Sequence, residues 1–395
     1  MYLQALALFS FESWMNLREP NLEIDITKSS VFQPDLANIL DVVCNVWVGD
    51  FKICLIPTID AIDSEITLPR YVVDIPEFTA HFYAIVEIDE ELELGFIKGF
   101  IDYNSLVSQK TDYPLDIDWN YAIPSSLFTA KIEKLLVNLQ CLEPDAVTLP
   151  NIASDRENKL IEFQTILQQI LPEIKTQPLW KKLTWERAVI TVTNPDLRNW
   201  LYQSLTNNNP NFNLHLKDLF ELLTQKAINL GEWIQTQIDE SDRELTWQML
   251  SSPTMSPSFR DINIDNPAAS LNNILTQISE VTDIMIPSNA GRAYQEFSLT
   301  NPLRLYAVTW LISETEKTWS LLLILGGTPN SIPPYGVKLR ISDRYSILQE
   351  QELTSDLGVA YLCTKLQATA SEKLLVTITP PDGSTEISRL FEFIF

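Results

Sequence analysis

The chain has 395 residues, of which 45% are hydrophobic and 20% charged, so it is long enough for two or three globular domains and too apolar for general disorder. Its 28 Lys and Arg stand against 52 Asp and Glu, a net charge of −24 that repels phosphate backbones and argues against direct nucleic-acid binding. A basic protein surface is the favoured partner instead, and residues 1–120 hold most of the imbalance, with 6 basic against 21 acidic side chains.

The first element, Tyr2 to Leu17 (YLQALALFSFESWMNL), is apolar nearly all round and predicts a helix buried on most sides. It lacks the basic start and small-residue cleavage site of a secretory signal, and Glu12 with Arg18-Glu19-Pro20 makes it too short for a membrane span. A short polar strand and a helical segment near Pro34 to Leu40 follow. Val42 to Val48, Gly49-Asp50 and Phe51 to Pro57 then read as a hairpin with a two-residue turn. Counting back from the turn places Cys54 opposite Asn45 and Cys44 on the other face of the pleat, so these two thiols are not expected to bridge. Cys44, Cys54, Cys141 and Cys363 form no CxxC pair, which reads as reduced cysteines in a cytoplasmic protein.

Phe82 to Ile101 (FYAIVEIDEELELGFIKGFI) is the clearest supersecondary unit, two strands rich in β-branched and aromatic residues around an acidic reversal. Tyr83, Ile85 and Ile88 are apolar on the way in, and Leu94, Phe96, Ile97, Phe100 and Ile101 on the way out. Glu87, Asp89, Glu90, Glu91 and Glu93 crowd five carboxylates into seven positions, which a packed core cannot hold unpaired, so the tip faces water or a basic partner.

Lys159 to Leu171 has Leu160, Phe163, Leu167 and Ile170 at helical spacing and stops at Pro172. Trp185 to Thr193 (WERAVITVT) reads as a strand. A longer helix is predicted from Leu216, where apolar residues recur to Ile238. Ser251 to Ser270, with Pro253, Pro257 and Pro267, reads as a linker before a short helix at Leu271 to Val281. From residue 301 about seven short strands separated by turn residues predict an antiparallel β-sandwich of immunoglobulin-like size. In it Val337, Leu339 and Ile341 form a dry face and Lys338, Arg340 and Ser342 a wet one. The predicted class is therefore α+β and multi-domain: an acidic mixed α/β part with antiparallel hairpins (1–120), a mainly helical region (121–250), a linker with a short helix (251–300) and the sandwich (301–395).

No GxSxG, HExxH or phosphate-loop pattern occurs, and His81 and His215 are the only histidines, each expected to be structural. No catalytic residue, metal or cofactor is assigned. Pro34-Asp35 with Asp50-Phe51-Lys52 fits the loose spacing of a metal-dependent nuclease, although Asp50 belongs to the hairpin turn and Lys52 to a solvated strand face. Trp310 and Trp319 could stack sugars on the sandwich, an alternative to core packing.

The order YLQALALFSFESWM, NVWVGDFKICLIP, LPRYVVDIPEF, FYAIVEIDEELELGFIKGF, then AINLGEWIQ, SIPPYGVKLRISD and SRLFEFIF resembles the cyanobacterial family of domain of unknown function 1822. Members carry more sequence before the first helix, so Met1 begins within the family pattern. Genes of this family neighbour sigma factors and caspase-like CHAT-domain proteins, so the resemblance implies such partners. The expected function is a non-enzymatic regulator or adaptor, in its sharpest form one that sequesters a sigma factor under control of a CHAT protease. A ligand- or carbohydrate-binding sandwich is the alternative, and a cryptic nuclease the third. Glu87, Asp89, Glu90, Glu91 and Glu93 are the expected partner-binding residues.

Overall fold

The computed structural model describes residues 1–59, 65–206, 211–234, 247–250, 266–281, 284–299, 301–329, 331, 334–358, 360–383 and 385–394. The chain divides into two compact units, Met1–Pro210 and Asn211–Phe395, each with its own apolar core. Helices and mainly antiparallel sheets occupy separate stretches, which is the α+β class that the sequence predicts.

The first unit opens with α1 (Tyr2–Arg18), β1 (Ile24–Asp25) and α2 (Pro34–Ala37). In place of a helix buried on most sides, α1 buries one stripe, Gln4, Ala7, Leu8, Phe11 and Met15, and leaves Tyr2, Phe9 and Leu17 exposed. Those buried positions recur every three or four residues, so apolar residues off the stripe have no core to meet. β2 (Val43–Val48) and β3 (Phe51–Thr58) form the predicted hairpin around Gly49, whose φ of +55° suits glycine. The pleat count fails within β2. Val46 pairs with Ile53 and Val43 with Leu55, so a bulge sets Cys44 and Asn45 together against Cys54, with Asn45 at φ +61°. Both cysteines are free thiols.

β4 (Glu65–Pro69) and α3 (Arg70–Asp74) lead to β5 (Phe82–Asp89) and β6 (Leu94–Asp102). The sheet order is β1-β2-β3-β5-β6, parallel between β3 and β5 and antiparallel elsewhere. Ala7, Leu8 and Phe11 of α1 pack on one face of it, against Ile53, Phe82 and Val86. After α4 (Tyr103–Ser108), β7 (Asn120–Pro124) pairs with β4. The rest of the unit is helical: α5 (Glu133–Cys141), α6 (Arg156–Ile170), α7 (Leu179–Lys182), α8 (Trp185–Thr193) and α9 (Pro195–Thr206).

The expected strand at Trp185 to Thr193 is the helix α8. Ala188, Thr191 and Val192 are buried at helical spacing, and the Thr191 and Thr193 hydroxyls donate to the carbonyls four residues back, Arg187 and Val189. β-branched residues that count toward a strand by propensity are thus absorbed by tertiary burial and back-bonding. The Asn194 carboxamide then accepts from the Asp196 and Leu197 amides at 3.1 and 3.0 Å, starting α9.

The second unit begins with α10 (Phe212–Thr224), β8 (Ile228–Asn229), β9 (Gln248–Met249) and α11 (Pro267–Val281). Then come β10 (Gly291–Phe297), β11 (Leu303–Ser313), β12 (Thr318–Gly327), β13 (Lys338–Ser342), β14 (Ile347–Glu352), β15 (Tyr361–Thr369), β16 (Leu374–Thr379) and β17 (Ile387–Glu392). The sheets β15-β12-β11-β10-β9 and β14-β13-β16-β17-β8 enclose Leu305, Trp319, Leu323, Leu339, Val376 and Phe391. The sandwich therefore takes β8, β9 and β10 from before residue 301. Of the expected linker, residues 251–265 lie outside the described residues, and the helix after it is α11.

The long helix expected from Leu216 stops at Thr224. Asn229 accepts from the Gly231 and Ile394 amides, and a Cβ on Gly231 would stand 2.0 Å from the Ile394 carbonyl oxygen, so a tight crossing of the C-terminal strand replaces the helix. The expected wet face of β13 holds at Lys338, which stays partly exposed, and is corrected at Arg340 and Ser342. α10 buries these two, and its Asp218 receives two Arg340 hydrogen bonds at 2.8 and 2.9 Å and one from Ser342 at 2.5 Å.

Candidate functional site: an acidic hairpin tip

β5 and β6 end in a reversal that projects the five predicted carboxylates. Asp89 shapes the turn, its carboxylate accepting from the Glu91 and Leu92 amides at 3.1 and 3.0 Å, and Glu93 completes it at φ +53°. Glu87 pairs with Lys98 at 3.3 Å, and Glu93 accepts from the Tyr2 hydroxyl at 3.4 Å. Among the described residues, Glu90 and Glu91 have neither a hydrogen-bond nor an ion-pair partner for their side chains. Both are exposed at the apex. The structure thus divides the predicted set: three carboxylates hold the tip in shape and two present unneutralised charge.

Beside them lies an apolar flank. Leu92, Leu94 and Phe96 are exposed by 61%, 51% and 47%, and Tyr2 is exposed next to Glu93. Leu94 and Phe96 stand opposite Asp89 and Glu87, on the side of the sheet away from α1, where no described residue buries them. The signal was present in ELELGF, since apolar residues two apart share one face of a strand. Ser10 fixes the hairpin against α1 by accepting from the Gly95 amide at 2.8 Å.

Asp35 is paired with Arg198 at 2.6 Å, Asp50 is exposed in the hairpin turn, and Lys52 is buried rather than on a solvated face. The Lys52 ammonium donates to the Glu77 carbonyl, and its backbone amide to Nδ1 of His81 at 2.8 Å. Burial pulls Lys52 below the ordinary lysine range. Burial and the Lys52 charge pull His81 down, while burial pushes the Cys44 thiol up to about 11. A thiol held protonated is a poor nucleophile. Among the described residues no three His, Cys, Asp or Glu side chains cluster as metal ligands do.

The remaining histidine, His215, is buried, its Nε2 3.0 Å from the Asp343 carbonyl. Trp310 and Trp319 are both core residues. Trp319 stacks on Phe393 and donates to the Thr369 carbonyl, so neither ring offers an open face for a sugar. No described helix is long and apolar enough to cross a membrane. A family model described as protein of unknown function (DUF1822) matches residues 1–392. No curated protein and no solved structure matches the chain.

Proposed function

Because the chain belongs to the DUF1822 family of proteins of unknown function, the geometry of its surface is what speaks to activity, and we propose that it is a non-enzymatic regulator or adaptor that binds a basic protein through the β5–β6 tip. The observation that carries this reading is the pairing of two unneutralised carboxylates, Glu90 and Glu91, with the exposed side chains of Leu92, Leu94 and Phe96. Exposed acidic groups steer a basic partner to the tip, and an adjacent apolar flank supplies the contact that holds it. A sigma factor, met on its nucleic-acid-binding face and released by a CHAT-domain protease in a cytoplasmic, cyanobacterial setting, is the specific form of this proposal that the family resemblance implies.

The test is to recover the tagged chain from its host with its bound proteins, then compare the wild type with Glu90→Gln/Glu91→Gln/Glu93→Gln against the partner identified. Gln keeps size and the acceptor that Tyr2 uses while removing three charges. The association rate is expected to fall about tenfold at low salt, and the dependence of affinity on salt to flatten. Unchanged rates and an unchanged salt slope reduce the tip to a solvated turn.

A further inference from the structure

The acidic tip hangs from one end of β5, and the other end of that strand is tied to β3 through His81. The backbone amide of His81 donates to the Lys52 carbonyl at 2.8 Å. The Lys52 amide returns a bond of 2.8 Å to Nδ1 of the His81 ring rather than to backbone. Nδ1 accepts only while it carries no proton, so this bond fixes the neutral ring, with its hydrogen on Nε2. A second proton has to go onto Nδ1, the atom already taken by the Lys52 amide. Protonation of the ring and the Lys52 bond therefore exclude each other.

The surroundings favour the neutral ring. His81 is buried, with the Phe51 ring edge-on at a centroid distance of 5.5 Å. From β3 the facing charge is the Lys52 ammonium, which repels an imidazolium. In the segment before β5, Glu77 gives its carbonyl to Lys52 and its carboxylate to Arg156. At the end of β6, Asp102 accepts from the Ser105 amide and hydroxyl at 2.9 and 2.6 Å, and the Tyr103 amide of α4 donates to the His81 carbonyl at 2.9 Å. Cys44 and Cys54 are kept as neutral thiols by burial. Among the described residues no carboxylate pairs with the ring. Burial and the Lys52 charge thus set the titration of His81 below the ordinary value of 6.5.

We propose that His81 is a proton-operated latch on the β3–β5 junction, closed while the ring is neutral and released when Nδ1 takes a proton in mildly acidic surroundings. β3 is the middle strand of its sheet, so release loosens the centre of the first unit rather than its rim. The latch uses none of the residues of the hairpin tip and does not rest on the partner-binding reading. A basic group whose folded pKa is depressed stabilises the fold fully above its unfolded value, here 6.5, and that stability is lost as pH falls through the folded value.

Two measurements on the full chain between about pH 8 and about pH 5 test it. One is nitrogen NMR of the imidazoles, in which His81→Asn assigns the signals of the two histidines. The other is hydrogen exchange at the Lys52 amide, expressed as protection relative to the intrinsic rate. In the wild type His81 is expected as the Nε2–H tautomer with a midpoint below 6.5, and Lys52 protection is expected to fall by up to about tenfold per pH unit below about 6.5. In His81→Asn the side-chain oxygen accepts the Lys52 amide without titrating, so protection stays constant over the same range. The proposal is overturned by an Nδ1–H tautomer at the alkaline end, by a midpoint at or above 6.5, by wild-type protection indifferent to pH, or by the same fall in His81→Asn. If His81→Asn does not fold, His215→Gln assigns the spectrum, and the wild-type tautomer, midpoint and protection decide alone.

Discussion

Asp218 and Arg340 are each nearly sealed from solvent, and their two hydrogen bonds, with that of Ser342, bind α10 to β13 across the outer face of the sandwich. Glu386 stands 3.4 Å from the same guanidinium and is itself paired with Lys217, so the arginine sits in an acidic pocket that holds it further above its ordinary range despite burial. Removing one partner of such a pair leaves a buried charge uncompensated. Asp218→Ala is therefore expected to lower unfolding free energy by about 3–5 kcal/mol in denaturant titration, whereas the double change Asp218→Leu with Arg340→Met costs far less. A loss under about 1 kcal/mol for Asp218→Ala would show that apolar packing alone seats α10. Nothing in the sequence marked this pair. Arg340 alternates with Val337, Leu339 and Ile341 as a wet-face residue does, and only the arrival of a helix separated by 122 positions turns that face into an interior.

At the level of elements, the hairpin that carries the acidic tip is held by one close crossing. A Cβ added to Gly95 would lie 2.8 Å from Val86 Cγ1 and 2.9 Å from both Cβ and Oγ of Ser10, so β6 passes over α1 at a distance only glycine permits. Gly95→Ala is expected to cost about 1–3 kcal/mol by overpacking, and Ser10→Gly in the same chain should recover part of it by reopening the space, although it forfeits the hydrogen bond to the Gly95 amide. Additive losses in the two single variants and the double would refute the crossing. Local signals made this hairpin legible, as they did β2–β3, the stop of α6 before Pro172 and the α11 segment. What stayed hidden was set by distant chain: α8 is a helix because Ala188, Thr191 and Val192 find a core, and α10 ends early because the C-terminal strand needs the place beside Ile228 and Gly231. Leu94 and Phe96 counted in the sequence only as apolar strand residues, and their exposure follows from β6 being an edge strand whose far face at that end is open among the described residues.

For the whole molecule, the decisive fact is that each unit contains an apolar cluster of its own. Ala7, Phe11, Val86 and Leu135 belong to one apolar cluster within residues 1–210, while Leu305, Trp319, Val376 and Phe391 belong to another within residues 211–395. The acidic excess also falls on the first unit, since residues 1–120 hold 21 of the 52 carboxylates but only 6 of the 28 basic side chains. The acidic tip lies there as well. A unit of about 200 residues with a sealed core of this kind meets the usual size for independent folding. The fragment 1–210 is accordingly expected to unfold in a single cooperative urea transition with a near-ultraviolet circular dichroism spectrum of fixed tertiary structure, and to bind the partner recovered by the full chain with the same salt slope. The fragment 211–395 should fold and leave that partner unbound. A fragment 1–210 that melts without cooperativity would show that its core is completed from outside. A folded fragment 1–210 with no affinity would move the partner-binding surface into the second unit and away from Glu90 and Glu91.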